Sequence, residues 1–460
     1  MTAPNRRLLL ALAVLALASR VAWVLWVHPP QDFDFKDMHV YLEYARRLVE
    51  HGLAPDRGMA FQAWGTHTLL ALPLALFGAH GPLAAALLWA AMGAAAVPMT
   101  YLLACRVASR PAVAASVGVA ALLWYPNLAS CGLFLSETPF LCALVATTWR
   151  LVALLQDGRG ALGCGVLAAL CFALRPEVAV FFLFAALLWW RLRARSPARW
   201  RHVLVVAAPV ALTLVFSSWH FHRHTGRWGG VAESARANLT PARCHHPWVQ
   251  TFERAEQLSR GPGLKSGRVY GVVSFFEMLA RGDAGPFALR PAFGTTPTAL
   301  EIAGPDGPMP LRVSPGGVSL QYVGHRADPR LHAAIQRACI ARTGWLEQLR
   351  YSAVNLGGLW FWNSHWPDNT RGGEAFRPWS DRFIAVFQWL VWVPSLLGGL
   401  WALKGARRNP GLALCALPLA AMMLVAAIWF GAVRLRTPYD PLALLLAAEA
   451  YARVFTRRGA

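Results

Sequence analysis

The chain has 460 residues, 56% of them hydrophobic and 15% charged, yet Lys and Arg total 44 against 23 Asp and Glu, a formal net charge of +21. A soluble protein carries about a quarter charged residues, and a disordered chain needs low hydrophobicity. A nucleic-acid binder would not interrupt its charge with long apolar stretches. The composition fits a polytopic membrane protein with sparse, mostly cationic loops.

In chain order, the segments that can cross a bilayer, which needs about 17–25 apolar residues, are 8–27, 83–104, 112–129, 137–155, 161–174, 178–192, 203–219, 383–403, 411–432 and 440–455. The apolar run from His67 to Gly78 is too short and carries Pro73, so it predicts an interfacial or re-entrant helix. The fold class is an all-α integral membrane protein of about 10 transmembrane helices. A module at 1–219 holds a first outer loop at 28–82, an extracytoplasmic insert of mixed structure fills 220–382, and a second module spans 383–460.

Basic residues set the orientation. Arg6 and Arg7, Arg106 and Arg110, the run Arg191 to Arg201, Lys404, Arg407 and Arg408, and Arg453, Arg457 and Arg458 all fall on one side when ten spans are drawn. The positive-inside rule makes that side cytoplasmic, with both termini there. The start reads as an uncleaved signal anchor in the plasma membrane of a bacterium, its inner membrane.

The first outer loop opens with Asp32, Asp34 and Asp37 beside the membrane. From Met38, the positions Tyr41, Leu42, Ala45, Leu48 and Val49 recur at helical spacing, with Arg46, Arg47 and Glu50 opposite. This predicts an amphipathic helix on the bilayer, ended by Gly52, with Asp37 as its N-cap or as a general base. Glu137 follows Ser136 at the start of the fourth span, and Arg175-Pro176-Glu177 forms a turn with an expected internal ion pair. Arg20 lies in the outer half of the first span, where an ionisable group draws attention. Arg434 and Arg436, in a segment broken by Pro438 and Pro441, would point the same way in an extended strand. Paired guanidiniums on the outer side suit a phosphate.

His220, His222, His224, His245 and His246 lack zinc spacing and read as interfacial, as do Trp360, Trp362 and Trp366. Cys244 and Cys339 are the two insert cysteines, with pairing left open. No P-loop, serine-hydrolase elbow or dinucleotide fingerprint is present. No metal ligand set and no cofactor is expected from motifs, and a divalent metal is left open.

Four ordered motifs carry a family resemblance: Asp37 four residues before Tyr41 and running to Ala45, Phe77-Gly78, Ser136-Glu137-Thr138, and Arg434-x-Arg436-x-Pro438-x-x-Pro441 before an Ala/Leu-rich span. In these the chain resembles GT-C-type membrane glycosyltransferases, in particular the bacterial protein O-mannosyltransferase and aminoarabinose-transferase-like group. The resemblance implies a GT-C-like fold and transfer of a sugar from a polyprenyl-phosphate donor to a lipid, glycan or protein acceptor on the non-cytoplasmic face. It implies Asp37 as base with Asp34 as a competing base, Glu137 as an assisting acid, and Arg434 and Arg436 on the donor phosphate. Arg175 is a further phosphate candidate, with Arg20, Tyr41 and Glu177 in support. The alternative is a transporter or flippase of a lipid-linked or anionic substrate, whose usual internal repeats are not visible here.

Overall fold

The computed structural model describes residues 3–32, 37–192, 199–243, 288–291, 300–303, 309–313, 320–322, 329–362, 382–383, 386 and 388–457. Asp34, Cys244, His245, His246 and Trp366 lie outside them, so the expectations for these residues, including any Cys244–Cys339 pairing, stay open. The chain divides into two compact units, one of residues 1–232, 358–424 and 432–460, the other of 233–357 and 425–431.

The first unit is helical: α1 Arg6–Ala22, α2 Asp37–His51, α3 Trp64–Phe77, α4 Gly81–Val107, α5 Pro111–Leu123, α6 Tyr125–Ser130, α7 Glu137–Asp157, α8 Ala161–Leu174, α9 Ala179–Leu192 and α10 Arg199–Thr225, followed by helices Val393–Lys404, Pro410–Ile428, Val433–Arg436 and Asp440–Arg457. Among the described residues, five stretches are long and apolar enough to cross a membrane: Arg6–Asp32, Trp64–Val107, Glu137–Asp157, Trp200–Thr225 and Pro410–Ile428. They make this an integral membrane protein. The 14-residue helices α8 and α9 are short for a perpendicular crossing.

Local signals set the helix ends. Asn5 caps α1 by accepting hydrogen bonds from the backbone N–H of Arg7 and Leu8. Pro111 opens α5, whose fixed φ suits the first turn. Gly158 closes α7 in the left-handed conformation. The expected short apolar helix is α3, and only a turn at Gly78–His80 separates it from α4. The Phe77-Gly78 pair is that turn, with Gly78 at φ 49°.

In the bundle, α4 packs on α1, α5 and α7, α8 on α7 and α10, and Val393–Lys404 on Asp440–Arg457. Small residues let these backbones approach, as is usual between helices in lipid. A side-chain carbon added at Gly398 would stand 2.1 Å from the backbone oxygen of Leu446, and one at Gly65 2.6 Å from the backbone of Ala173.

The second unit holds α11 Ser234–Arg243 packed on helix Pro329–Gly357, which is broken at Gly344 (φ 72°). Its four strands, Ala288–Pro291, Leu300–Ala303, Met309–Val313 and Leu320–Tyr322, form an antiparallel meander in sequence order. Arg243 ties the helices together, donating to Gln348 O at 3.3 Å, Ser352 Oγ at 3.2 Å and Ala427 O.

Substitution of Gly398 by Leu forces two backbones apart, and overpacking of this kind costs about 1–3 kcal/mol. The expected outcome is a lower melting temperature of the purified protein in detergent, with Gly399→Leu, whose nearest neighbours are side-chain carbons at 3.8 and 3.9 Å, less affected.

Candidate functional site

Four charged residues distant in sequence meet at one end of the first unit. Asp37 starts α2, Glu137 starts α7, Arg175 follows α8, and Arg434 sits on the single turn Val433–Arg436. Each is placed by a local cause. Pro176 drives the residue before it out of the helical region, and Arg175 accordingly ends α8 in an extended conformation, φ −146° and ψ 94°. Ser136 makes no capping bond to α7; its Oγ instead accepts from Arg175 Nε at 3.0 Å. Ala432 is extended, which separates the Val433–Arg436 turn from the preceding helix.

An apolar seal holds these elements beneath the charges. The buried face of α2 is Met38, Tyr41, Leu42, Tyr44 and Ala45, while the expected Val49 is exposed. Met38, Tyr41, Leu42 and Ala45 join Val433, Trp89 and the segment 133–135 in one buried cluster. Trp89 Nε1 donates to Leu135 O at 3.1 Å, fixing the chain just before Glu137.

Arg434 bridges the two acids. Its Nη1 donates to Asp37 Oδ2 at 2.7 Å and its Nε to Glu137 Oε1 at 2.5 Å. Arg175 Nη2 reaches the same Glu137 oxygen at 2.9 Å. Exposure is graded along the chain of pairs: the side chains of Glu137 and Arg175 are 1% and 7% exposed, Arg434 27% and Asp37 41%. Glu137 Oε2 is buried without a hydrogen bond. Burial alone would lower the Arg434 pKa, but Glu137 and then Asp37 outweigh it and the guanidinium stays above its ordinary value. Burial also raises the Tyr41 phenol, and the charges of Asp37 and Glu137 add to the rise.

Arg436 goes elsewhere. An extended segment would aim it with Arg434, but the segment is helical, and positions i and i+2 on a helix lie about 200° apart. The Arg436 side chain is fully enclosed. Its Nε donates to Asp440 Oδ1 at 3.0 Å, its Nη1 to Leu359 O at 3.1 Å, and its guanidinium carbon lies 3.4 Å from the Trp392 ring centroid. Asp440 is held on its other oxygen by Trp124 Nε1 at 2.7 Å. Trp360 lies in the same enclosure, 5.6 Å from Arg436, and is buried rather than interfacial. Sequence reading missed Trp124, Trp392 and Asp440. The i, i+4 spacing of Arg436 and Asp440 was the available signal.

Other expected residues take separate places. Arg20 is buried and donates to Ser19 Oγ at 2.9 Å and to the carbonyls of Leu122 and Ala121 at 3.1 and 3.4 Å. It is a cation on the C-terminal end of α5, where the helix dipole favours one. Glu177 is exposed and makes no ion pair among the described residues; Arg175 pairs with Glu137 instead of forming the expected turn pair. Asp32 is exposed in a turn. His220 and His224 are buried, not interfacial, and lie in a row with His67, their rings tilted at centroid distances of 6.2 and 4.4 Å. His224 Nδ1 accepts from the Asp56 N–H at 3.0 Å. Among the described residues no group of three or more His, Cys, Asp or Glu is arranged to hold a metal ion.

The helices and this polar cluster define an integral membrane protein with a charged, partly open site at one end of its bundle. No family model matches the chain, and no curated protein matches it. Among solved structures it is similar to ArnT from Cupriavidus metallidurans bound to undecaprenyl phosphate, at 14% identity over 96% of this chain and 77% of that one, with a TM-score of 0.37. It is similar to the apo state of the same protein at 13% identity, with the same coverage and a TM-score of 0.36. At that level of likeness no residue role is transferred.

Removing one partner of a buried ion pair strands the other charge, at about 3–5 kcal/mol. Glu137→Gln leaves Arg175 facing Arg434 and is expected to lower the melting temperature sharply. Combining it with Arg175→Gln should recover part of the loss. A double variant no more stable than Glu137→Gln alone would show that the two residues are not coupled.

Proposed function

We propose that this chain is a GT-C-type membrane glycosyltransferase, moving a sugar from a polyprenyl-phosphate donor to an acceptor on the non-cytoplasmic face of the plasma membrane of a bacterium. The observation that carries the reading is the shared guanidinium of Arg434. A carboxylate open to solvent, a guanidinium beside it, and a buried acid behind it are the groups that a displacement at a sugar phosphate needs. The donor class comes from the motif resemblance.

In this reading Arg434 is the phosphate ligand, and Arg175 and Glu137 are positioning residues that hold it. Glu137 is too enclosed, between two guanidiniums, to exchange protons with an acceptor. Arg436 is assigned a structural role, because its side chain is fully buried, its Nε and Nη1 bond Asp440 and Leu359 O, and its guanidinium lies against Trp392. The donor phosphate competes with Asp37 for Arg434. Once displaced, the Asp37 carboxylate is free to take the proton of the acceptor hydroxyl or amine. The acceptor atom bonds to the anomeric carbon, the sugar–phosphate C–O bond breaks, and its electron pair leaves with the lipid phosphate. Arg434 faces the charge that develops there. A single displacement of this kind inverts the anomeric configuration. Asp34, which lies outside the described residues, is the competing base. Buried Tyr41 backs Asp37 from the next turn of α2, and the insert is the place for acceptor choice.

The test is sugar transfer in membranes with a radiolabelled polyprenyl-phosphate donor. Loss of a general base costs about 10²–10⁴ in rate. Asp37→Asn is expected to lower turnover by that order while donor binding is kept or strengthened, because a competitor for Arg434 is gone. Arg434→Gln is expected to raise the donor KM. Full activity of Asp37→Asn would remove it from the mechanism, and donor uptake across vesicles without any transfer would favour the transporter.

A further inference from the structure

The opposite end of the bundle carries a second concave site. A pocket of about 830 Å³ is lined by Arg191 at the end of α9, by Lys404, Arg407 and Arg408 around the end of helix Val393–Lys404, and by Arg453 on helix Asp440–Arg457. That volume lies within the usual range of about 300–1,000 Å³ for ligand pockets. None of its lining residues is acidic. Asp157, at the end of α7, and Glu449, one turn before Arg453, are engaged elsewhere: Asp157 with Arg106 at 2.9 Å, and Glu449 accepting from the Ser109 N–H at 2.6 Å.

A topology signal needs only cations near the helix ends. It does not need them to converge on a cavity from three helices. Against Arg191, Lys404, Arg407 and Arg408, three helix C-termini close by contribute about half a negative charge each, so the pocket keeps an excess of about two positive charges or more. The turn that supplies Lys404, Arg407 and Arg408 is built rather than loose. Gly405 N–H donates to Trp401 O at 2.9 Å, Arg408 N–H to Gly405 O at 2.8 Å, and Asn409 Nδ2 to Val107 O at 2.9 Å. The remaining walls, Leu188, Leu192, Trp401 and Leu403, are apolar.

We propose that this pocket binds the phosphate headgroup of an anionic membrane lipid, its acyl chain lying on the Leu and Trp wall. Basic pockets between membrane helices on the cytoplasmic side take such headgroups, and the site is independent of the transferase reading at the other end. A free phosphate shares the charge chemistry but has no use for the apolar wall.

The experiment exchanges the purified full-length protein into micelles holding equal phosphatidylcholine and cardiolipin and counts retained lipids by native mass spectrometry. Wild type is expected to retain cardiolipin over phosphatidylcholine by about tenfold or more, equivalent to about 1.4 kcal/mol. Lys404→Gln with Arg407→Gln and Arg408→Gln should lose that preference, and Arg453→Gln alone should weaken it. Should the triple variant fail to fold, wild type itself reports, because retention should fall as salt rises from about 0.1 M to about 1 M. Equal retention of the two lipids by wild type, or an unchanged preference in both variants, overturns the proposal. Displacement of cardiolipin by millimolar inorganic phosphate overturns the lipid assignment in favour of a free phosphate.

Discussion

Glu137 is a carboxylate with almost no exposure, at the start of a helix apolar enough to cross a membrane. A lone charge in that position would be strongly disfavoured. It persists because Arg175 and Arg434 both reach its Oε1. That double contact fixes the relative positions of α7, the end of α8 and the Val433–Arg436 turn. Among the described residues, Asp37, on α2, is then tied to the cluster through Arg434. The order of dependence runs from the enclosed acid outward, and Asp37 is the most exposed member.

The apolar cluster under the charges makes the pairing geometry specific. Val433 is buried among the residues of the α2 face, so the residue next to Arg434 is anchored in the same seal as the helix that carries Asp37. Hydrophobic burial sets where the backbone goes, and the ion pairs select among the orientations left. Buried pairs of this sort add little net stability over apolar packing of the same shape. Their role is to hold charged atoms in place.

Much of the site is legible in the sequence. Asp37, Glu137, Arg175 and Arg434 each fall at the edge of an apolar segment, and consecutive spans alternate sides. Their separation in sequence, from 37 to 434, says nothing about distance once topology puts them at one level. The partner assignments were not legible. Arg175 was matched with its neighbour Glu177, but the proline between them turns the arginine back toward α7. Arg436 was paired with Arg434 on the assumption of an extended chain. The choice between extended and one-turn helical geometry, for four residues flanked by proline, depends on the tryptophans and Asp440 that enclose the arginine. The tryptophans, Trp124, Trp360 and Trp392, come from three other parts of the chain. The burial of His220 and His224 is hidden from the sequence for a related reason: His67 and His220 are far apart in sequence, and neither reveals that the other lies beside it.

Arg434 and Arg436 leave a single helical turn on opposite sides, one toward the open cluster and one into a closed cage of tryptophan rings and Asp440. The cage pins the turn from within, so Arg434 works as a fixed post rather than a swinging arm. An anion arriving at this post cannot draw it outward. What yields is the surface carboxylate, the most exposed member of the cluster. Under the proposed function, the site would exchange anions on one stationary cation, with occupancy settled by which anion is present and how strongly it is charged.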